Sequence, residues 1–283
     1  MAKENTVQLY GWVNSLPKIK ATVDADGGDL FVSGKIHLTT VRRSYATDDF
    51  RLRGTLRWDS PIVFTRNHHL IKHQMQKIEY GDMVLVRGTL CSKEVPKRYV
   101  CPYCGHKNVK DNGVVIYVDP ISLTVFEKGL DEDAATKRLM KCDEFSNDVK
   151  IIGTLCRDPQ YYEEPENKKK ECQFQIASNR LRRILEDEPD KRTDYPWVKV
   201  FGDQAVESYH ALHTNSTIYI GGAIQTRDGI LQHFLCEECG SQFDREGIAT
   251  EIIPYHIEYL DDCILPESTL STNEKEDEDC EEQ

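Results

Sequence analysis

No stretch of this sequence approaches the roughly 20 consecutive apolar residues of a membrane-crossing helix. The first residues, Met1-Ala-Lys-Glu-Asn5, lack the apolar core of a signal peptide. A cytoplasmic protein without a membrane partner is therefore expected. Also missing are a glycine-rich phosphate loop, a Gly-x-Ser-x-Gly elbow and a His-Glu-x-x-His pair. No nucleophile stands with a base, so an enzyme is not expected. His69 and His73, and likewise His210 and His213, fall on helical stretches where a solvated polar face accounts for them. Positive charge is in deficit: the formal net charge is −12. Residues 266–283 supply −7 of it, which leaves −5 on the rest. Basic residues nevertheless cluster at Arg42-Arg43, Arg51–Arg57, Lys168–Lys170 and Arg180–Arg183. Local potential governs a binding groove, so the acidic sum excludes little.

What is present is a repeat. Val7-Gln-Leu-Tyr-Gly-Trp-Val13 is answered by Val149-Lys-Ile-Ile-Gly-Thr-Leu155, and Met83-Val-Leu-Val-Arg-Gly-Thr-Leu90 by Thr217-Ile-Tyr-Ile-Gly-Gly-Ala-Ile224. Each copy then reaches a Cys-x-x-Cys-Gly turn, Cys101–Gly105 and Cys236–Gly240, and closes with a β-rich segment, Val114–Val118 or Ile248–Ile253. A repeat of this length means two copies of one domain rather than a solenoid. Between early and late strands each copy carries one helical stretch, residues 67–77 and 203–213, the second with Asp203 as its expected N-cap.

Strands, one helix, a strand, a long excursion and a last strand is the order of the five-stranded OB barrel. The expected fold is all-β with short helices: two tandem OB-fold β-barrels, each with a Cys-x-x-Cys knuckle loop before its last strand. The expected boundaries are 1–128 for a divergent first barrel, 129–145 for a charged helical linker, 146–265 for the second barrel and 266–283 for a disordered acidic tail. The run Asn147-Asp-Val-Lys-Ile-Ile-Gly-Thr-Leu-Cys-Arg-Asp-Pro159 resembles the opening of the bacterial single-stranded DNA-binding proteins. The likeness continues through Phe174–Arg180, Trp197–Gly202, Tyr219–Arg227 and Thr250–Ile253, in that family's order. The first half shares only the layout and scattered glycines.

The resemblance implies binding of single-stranded DNA in replication, recombination or repair, by aromatic stacking and phosphate contacts. Tyr195, Trp197, Lys199 and Phe201 alternate and should share one face. By similarity, Phe201 holds a base-stacking position and Tyr195 stands where the family often carries tryptophan. Beyond the late strand Thr226-Arg-Asp-Gly229 replaces a further aromatic of the family. Arg180, Arg182, Arg183 and Arg227 are candidates for phosphate contact. In the first copy the corresponding strand is read as Arg51–Trp58, with Arg51, Arg53 and Arg57 sharing parity and Trp58, Tyr45 and Phe64 as stacking candidates.

Ten cysteines in two tight pairs and scattered single positions fit metal ligands and reduced thiols better than a disulfide framework. One Cys-x-x-Cys turn supplies two ligands and structural zinc takes four. Cys101, Cys104, Cys236 and Cys239 would thus form one shared zinc site. Zinc in this place resembles, in architecture only, that of the zinc-bearing OB domain of eukaryotic replication protein A. Separate sites completed by His106 and His233, and a redox dithiol, are the alternatives. The acidic tail resembles the family's docking segment for replication and repair enzymes, although it ends Asp279-Cys-Glu-Glu-Gln283 without apolar residues. It would either recruit partners or compete with DNA. Members of that family assemble four OB folds, so two per chain implies a homodimer, or a monomer using its internal pairing. An RNA-binding OB–zinc module and a protein-interaction scaffold are the rival functions.

Overall fold

The structure, a computed structural model, describes residues 3–23, 29–44, 54–166, 168–181 and 193–264. The first half contains β1 (Asn5–Val13), β2 (Lys18–Val23), β3 (Asp29–Arg43), β4 (Leu56–Asp59), β5 (Ile62–Thr65), α1 (His68–His73), a 3-10 turn at Met75–Lys77, β6 (Met83–Val100) and β7 (Lys107–Glu127). A connecting helix, α2 (Glu132–Leu139), follows. The second half contains β8 (Asn147–Leu155), β9 (Gln160–Glu163), β10 (Lys170–Asn179), β11 (Thr193–Asp194), β12 (Trp197–Phe201), α3 (Asp203–Ala211), β13 (Thr217–Leu235) and β14 (Gln242–Asp261).

Pairing closes each half into a ring. β1 joins β3 and β6, β6 joins β7, β7 runs parallel to β5, and β5 returns to β3. β8, β13, β14, β12 and β10 repeat the circuit. Alternation fills the rings: Val7, Leu9, Ile36, Leu38 and Val86 point inward in one, and Val149, Ile151, Phe174, Ile176 and Ile220 in the other. α1 and α3 each sit between the third and fourth strands of their barrel, as an OB fold requires. The N-cap of α3 falls one residue before its expected place. Gly202, at φ 68°, caps it without a side-chain bond, and Asp203 opens the first turn.

Gly88 and Gly222 explain how a single strand can serve two purposes. Each sits at a register shift opposite a proline, Pro120 or Pro254. A Cβ on Gly222 would lie 2.3 Å from the Ile253 carbonyl oxygen, and one on Gly88 would lie 2.5 Å from that of Asp119. β6 pairs with β1 only as far as Gly88, and β13 with β8 only as far as Gly222. Beyond these bulges the strands leave the barrels as long hairpin arms. The excursions read as loops from sequence are therefore paired strands, out to Val100–Lys107 and Leu235–Gln242 beside the cysteine turns. Gly222→Ala should cost about 1–3 kcal/mol, because backbone rather than a side chain must move. Urea unfolding measures it, and a loss within error would contradict the tight approach.

The halves meet about a pseudo-two-fold axis. β1 runs antiparallel to β8 with Val7 opposite Val149, Asn5 opposite Ile151 and Leu9 opposite Asn147. Equivalent polar bonds recur on both sides. Asn5 bonds both backbone groups of Leu90 at 2.9 and 3.0 Å, and Asn147 does the same to Ile224 at 2.9 and 2.8 Å. Across the junction Asp59 Oδ1 accepts from the Thr226 amide (2.8 Å), and the Ser60 amide donates to Thr226 Oγ1 (2.7 Å). In the mirror position Asp194 Oδ1 accepts from the Ser92 amide (2.6 Å), and the Tyr195 amide donates to Ser92 Oγ (2.8 Å). Such reciprocity is the mark of an isologous interface, here held within one chain. Only α2 breaks it. Capped by Asp131, it lays Ala135 and Leu139 on Tyr10, Trp12, Val41 and Met83 of the first half.

Candidate nucleic-acid interface and metal centre

The outward face of the second barrel is built by β9, β10 and β12. Register aligns Tyr162, Glu171 and Phe201 in one row, Gln160, Gln173 and Lys199 in the next, and Gln175 with Trp197 in a third. Val198 and Val200, the intervening residues, are fully buried in the core. Trp197, Lys199 and Phe201 thus share a face, and Tyr195 stands exposed just before the strand. Cations lie over the rings: Arg157 is 5.3 Å from the Trp197 centroid, and the Lys169 and Lys199 ammonium groups are each 5.5 Å from that of Phe201. Lys199 is itself buried, 2.9 Å from Glu171. Arg157 also donates to Gln175 Oε1 at 3.0 Å, and Gln175 Nε2 donates to the Tyr195 carbonyl at 3.0 Å. Sequence reasoning did not single out Arg157 or Tyr162, and took Lys169 only as part of the Lys168–Lys170 cluster. Register exposes Tyr162, and approach to the Trp197 and Phe201 rings exposes Arg157 and Lys169.

The arginines are placed differently from expectation. Arg180 is buried in a two-pronged ion pair with Asp194, the carboxylate that receives the Ser92 amide. Its charge is engaged inside the junction rather than offered to a phosphate. Arg42 and Asp59 form the equivalent pair in the first half, at 2.8 Å. Arg227 makes a two-bond pair with Glu251 at 2.7 and 3.1 Å and stays partly exposed. Arg57 and Trp58 are exposed on β4. Tyr45, Arg51, Arg53, Arg182, Arg183 and the acidic tail lie outside the described residues.

In the first barrel the strand equivalent to Trp197–Phe201 is Ile62–Thr65, not the expected Arg51–Trp58. Gln175 faces Trp197 as His37 faces Ile62, and Gln173 faces Lys199 as Lys35 faces Phe64. Trp58 instead pairs with Val41 at the far end of β3. The outward row is Lys18, Lys35 and Phe64, with Tyr117 edge-on to Phe64 at 5.4 Å. Burial, then the Lys18 charge, lowers the Lys35 pKa. Burial, then Lys35 and Lys18, lowers that of His37. Lys18 and Lys35, opposite one another in the register, place two like charges side by side on this face.

At the arm tips the two cysteine turns are near copies. Gly105 and Gly240, at φ 75° and 69°, turn the chain and donate to the carbonyls of Cys101 (3.0 Å) and Cys236 (2.9 Å). The Cys101 and Cys236 amides donate to His106 and Ser241 carbonyls, each at 2.9 Å. The turns face each other about the same pseudo-axis, with Sγ separations of 3.7 Å for Cys101–Cys239 and 3.6 Å for Cys104–Cys236. All four sulfurs lie within 4.8 Å of one another. A tetrahedral zinc with Zn–S bonds of about 2.3 Å needs sulfurs roughly 3.8 Å apart, so donor set and spacing fit. The Cys239 amide, then the Glu238 amide and the Asn108 side chain, hold the Cys236 thiol down to about 6 against the opposing effect of desolvation. Asn108 donates to Cys236 Sγ at 3.6 Å and accepts from the Glu237 amide at 3.1 Å, an outer bond that orients the ligand. His106 and His233 are not part of this group, and His233 contacts Asp244 at 2.6 Å. Tyr99, Phe234 and Phe243 pack with Cys101 and Cys236 into a small core beneath the sulfurs.

Residues 146–229 match the model described as the single-strand binding protein family. Among solved structures, wild-type single-stranded DNA binding protein from Thermus aquaticus aligns with 92% of this chain and 95% of its own, at a TM-score of 0.55 and 14% identity. A deletion mutant of that Thermus protein aligns with 94% and 100%, at 0.56 and 16%. No curated protein matches the chain. The second barrel thus carries the match to the single-strand binding protein family, and the chain as a whole has the OB fold of bacterial single-stranded DNA-binding proteins.

Proposed function

We propose that this protein coats single-stranded DNA along the outward faces of both barrels, and that one zinc ion, held by Cys101, Cys104, Cys236 and Cys239, locks the arm tips together. The observation that carries the reading is the family match falling on the barrel whose outer face bears Trp197, Phe201 and Arg157, while Lys199 is buried against Glu171 and supports that face rather than meeting a phosphate. Bases would stack on the rings and on the Arg157 guanidinium plane, and Lys169, Lys18 and Lys35 would face phosphates. Arg180 is left out because its charge is spent on Asp194, whereas Tyr195 remains as an exposed ring. Arg227, Arg57 and Trp58 lie off this path and are assigned no stacking role. Nothing in this assignment requires catalysis. Zinc would supply a closed structural crosslink with no open coordination position. The protein would act in the cytoplasm, protecting DNA for replication, recombination or repair enzymes, some of them recruited by the acidic tail.

Titration with dT oligonucleotide at low salt tests the reading. Tryptophan fluorescence should be quenched, and affinity should fall with salt at a log–log slope of about −0.7 per phosphate engaged. Trp197→Ala should weaken binding by about 1–3 kcal/mol, roughly 5- to 150-fold, and Phe64→Ala by a similar amount. Absence of any quenching or mobility shift with the parent protein would refute DNA binding. RNA of the same base order, titrated in parallel, separates the two nucleic acids.

A further inference from the structure

The two arms differ in charge where their backbones agree. Tyr99 of the first arm packs on Phe234 and Phe243 of the second, with ring centroids 4.2 and 5.7 Å apart. Those rings mark the inner face of each arm, so residues of the alternate parity point away from the other arm. On the first arm the outward pairs are Arg98 with Val109 and Val100 with Lys107. On the second they are Leu231 with Glu246, His233 with Asp244 and Leu235 with Gln242. All of these residues are exposed.

Counted from the cysteine turns, Arg98 stands where the second arm has His233, Lys107 where it has Gln242, and Val109 where it has Asp244. Within the turns Pro102 and Tyr103 are answered by Glu237 and Glu238. The first outward face is therefore basic around Val100 and Val109. Arg245 adds a third cation at its edge, donating to the Val100 carbonyl at 2.8 Å. With Arg98 and Lys107 it borders a groove of about 350 Å³ that no carboxylate lines. The second outward face is acidic around Leu231 and Leu235, which are 59% and 57% exposed. Exposed apolar side chains rimmed by charge of one sign are the makings of an interface.

We propose that these two faces bind each other between copies of this chain. The basic groove of one copy takes the acidic, leucine-bearing face of the next copy's second arm. The occupant is a second copy because each chain carries both halves of the match, on opposite sides of its paired arms. Copies thus join head to tail, a heterologous contact that leaves a basic face free at one end and an acidic face at the other. Neither barrel takes part, so the proposal does not rest on the DNA-binding reading.

Sedimentation of the full chain without DNA, over a range of protein concentrations, tests this. The parent should form a concentration-dependent series beyond two copies, which dissociates as salt rises from about 0.05 to about 0.5 M. Arg98→Glu with Lys107→Glu makes both faces negative, and Asp244→Lys with Glu246→Lys makes both positive. Each double variant alone should associate at least about 10-fold more weakly, since like charges then meet across the contact. An equimolar mixture of the two should recover parental association, because every basic face again finds an acidic one. Parental association in either variant alone overturns the proposal, as does a mixture no more associated than its parts. A parent that stays single or stops at two copies overturns it too, and capture of poly-glutamate by that parent would make the groove an acidic-peptide site. If a reversal unfolds the chain in urea early, Lys107→Gln with Asp244→Asn should still weaken association, and parental association there overturns the contact.

Discussion

Cys236→Ser protein should carry no zinc where the parent carries one equivalent per chain, measured by metal analysis of purified protein. Among the four cysteines Cys236 and Cys101 are the buried ones, and Cys236 alone has the Asn108 bond to its sulfur. Structural zinc contributes up to about 10–16 kcal/mol of apparent binding energy in zinc-finger peptides, and that energy is folding energy only where the metal organises the chain. The barrels keep cores of their own, built from Leu9, Ile36, Phe174 and Ile176 among others. The loss should therefore fall on the arms. Amide exchange should accelerate along the arms, residues 93–115 and 227–249, while the barrel strands stay protected. Two zinc equivalents in the parent would overturn a shared centre, and a parent without metal would remove it.

Asp194→Ala should destabilise the protein by about 3–5 kcal/mol, the usual cost of removing one partner from a buried ion pair. Three groups lose their acceptor at once: the Arg180 guanidinium, the Ser92 amide and the Ser92 hydroxyl. Arg180 would remain inside, charged and without its carboxylate. Asp59→Ala should cost a similar amount, because Arg42 and the Thr226 amide depend on it in the same way. Urea unfolding with an unchanged m-value would attribute the shift to stability alone. A loss below about 1 kcal/mol at both positions would mean that the junction is wet and weakly coupled.

The glycine spacing that reveals the duplication marks the bulges where the strands leave the barrels, so tandem OB topology was legible in the chain itself. The cysteine turns were legible for a similar reason, since two thiolates in one turn have little use without two more. The arms were not. The described residues among 93–109 are mostly exposed on both faces, so no period of two separates inside from outside, and they read as loop. The aromatic face of the first barrel was hidden by exchange of residue types. Phe64 stands where the second barrel has Lys199, and Lys18 and Lys35 where it has Gln160 and Gln173. Arg51–Trp58 is the nearest run that combines basic and aromatic residues. Arg180 misled because its neighbours Arg182 and Arg183 suggest a surface patch, while its partner lies 14 residues on.

A pair of identical subunits must present the same surface twice, turned end for end, to a polymer that has a 5′ and a 3′ end. Here the antiparallel union of β1 with β8 sets the two surfaces in those opposed senses, but joining them in one chain removes the obligation to stay alike. The lysine-rich side and the ring-rich side can each suit one direction of travel. If DNA binds both faces as proposed above, it would have a preferred orientation, which identical subunits could not impose.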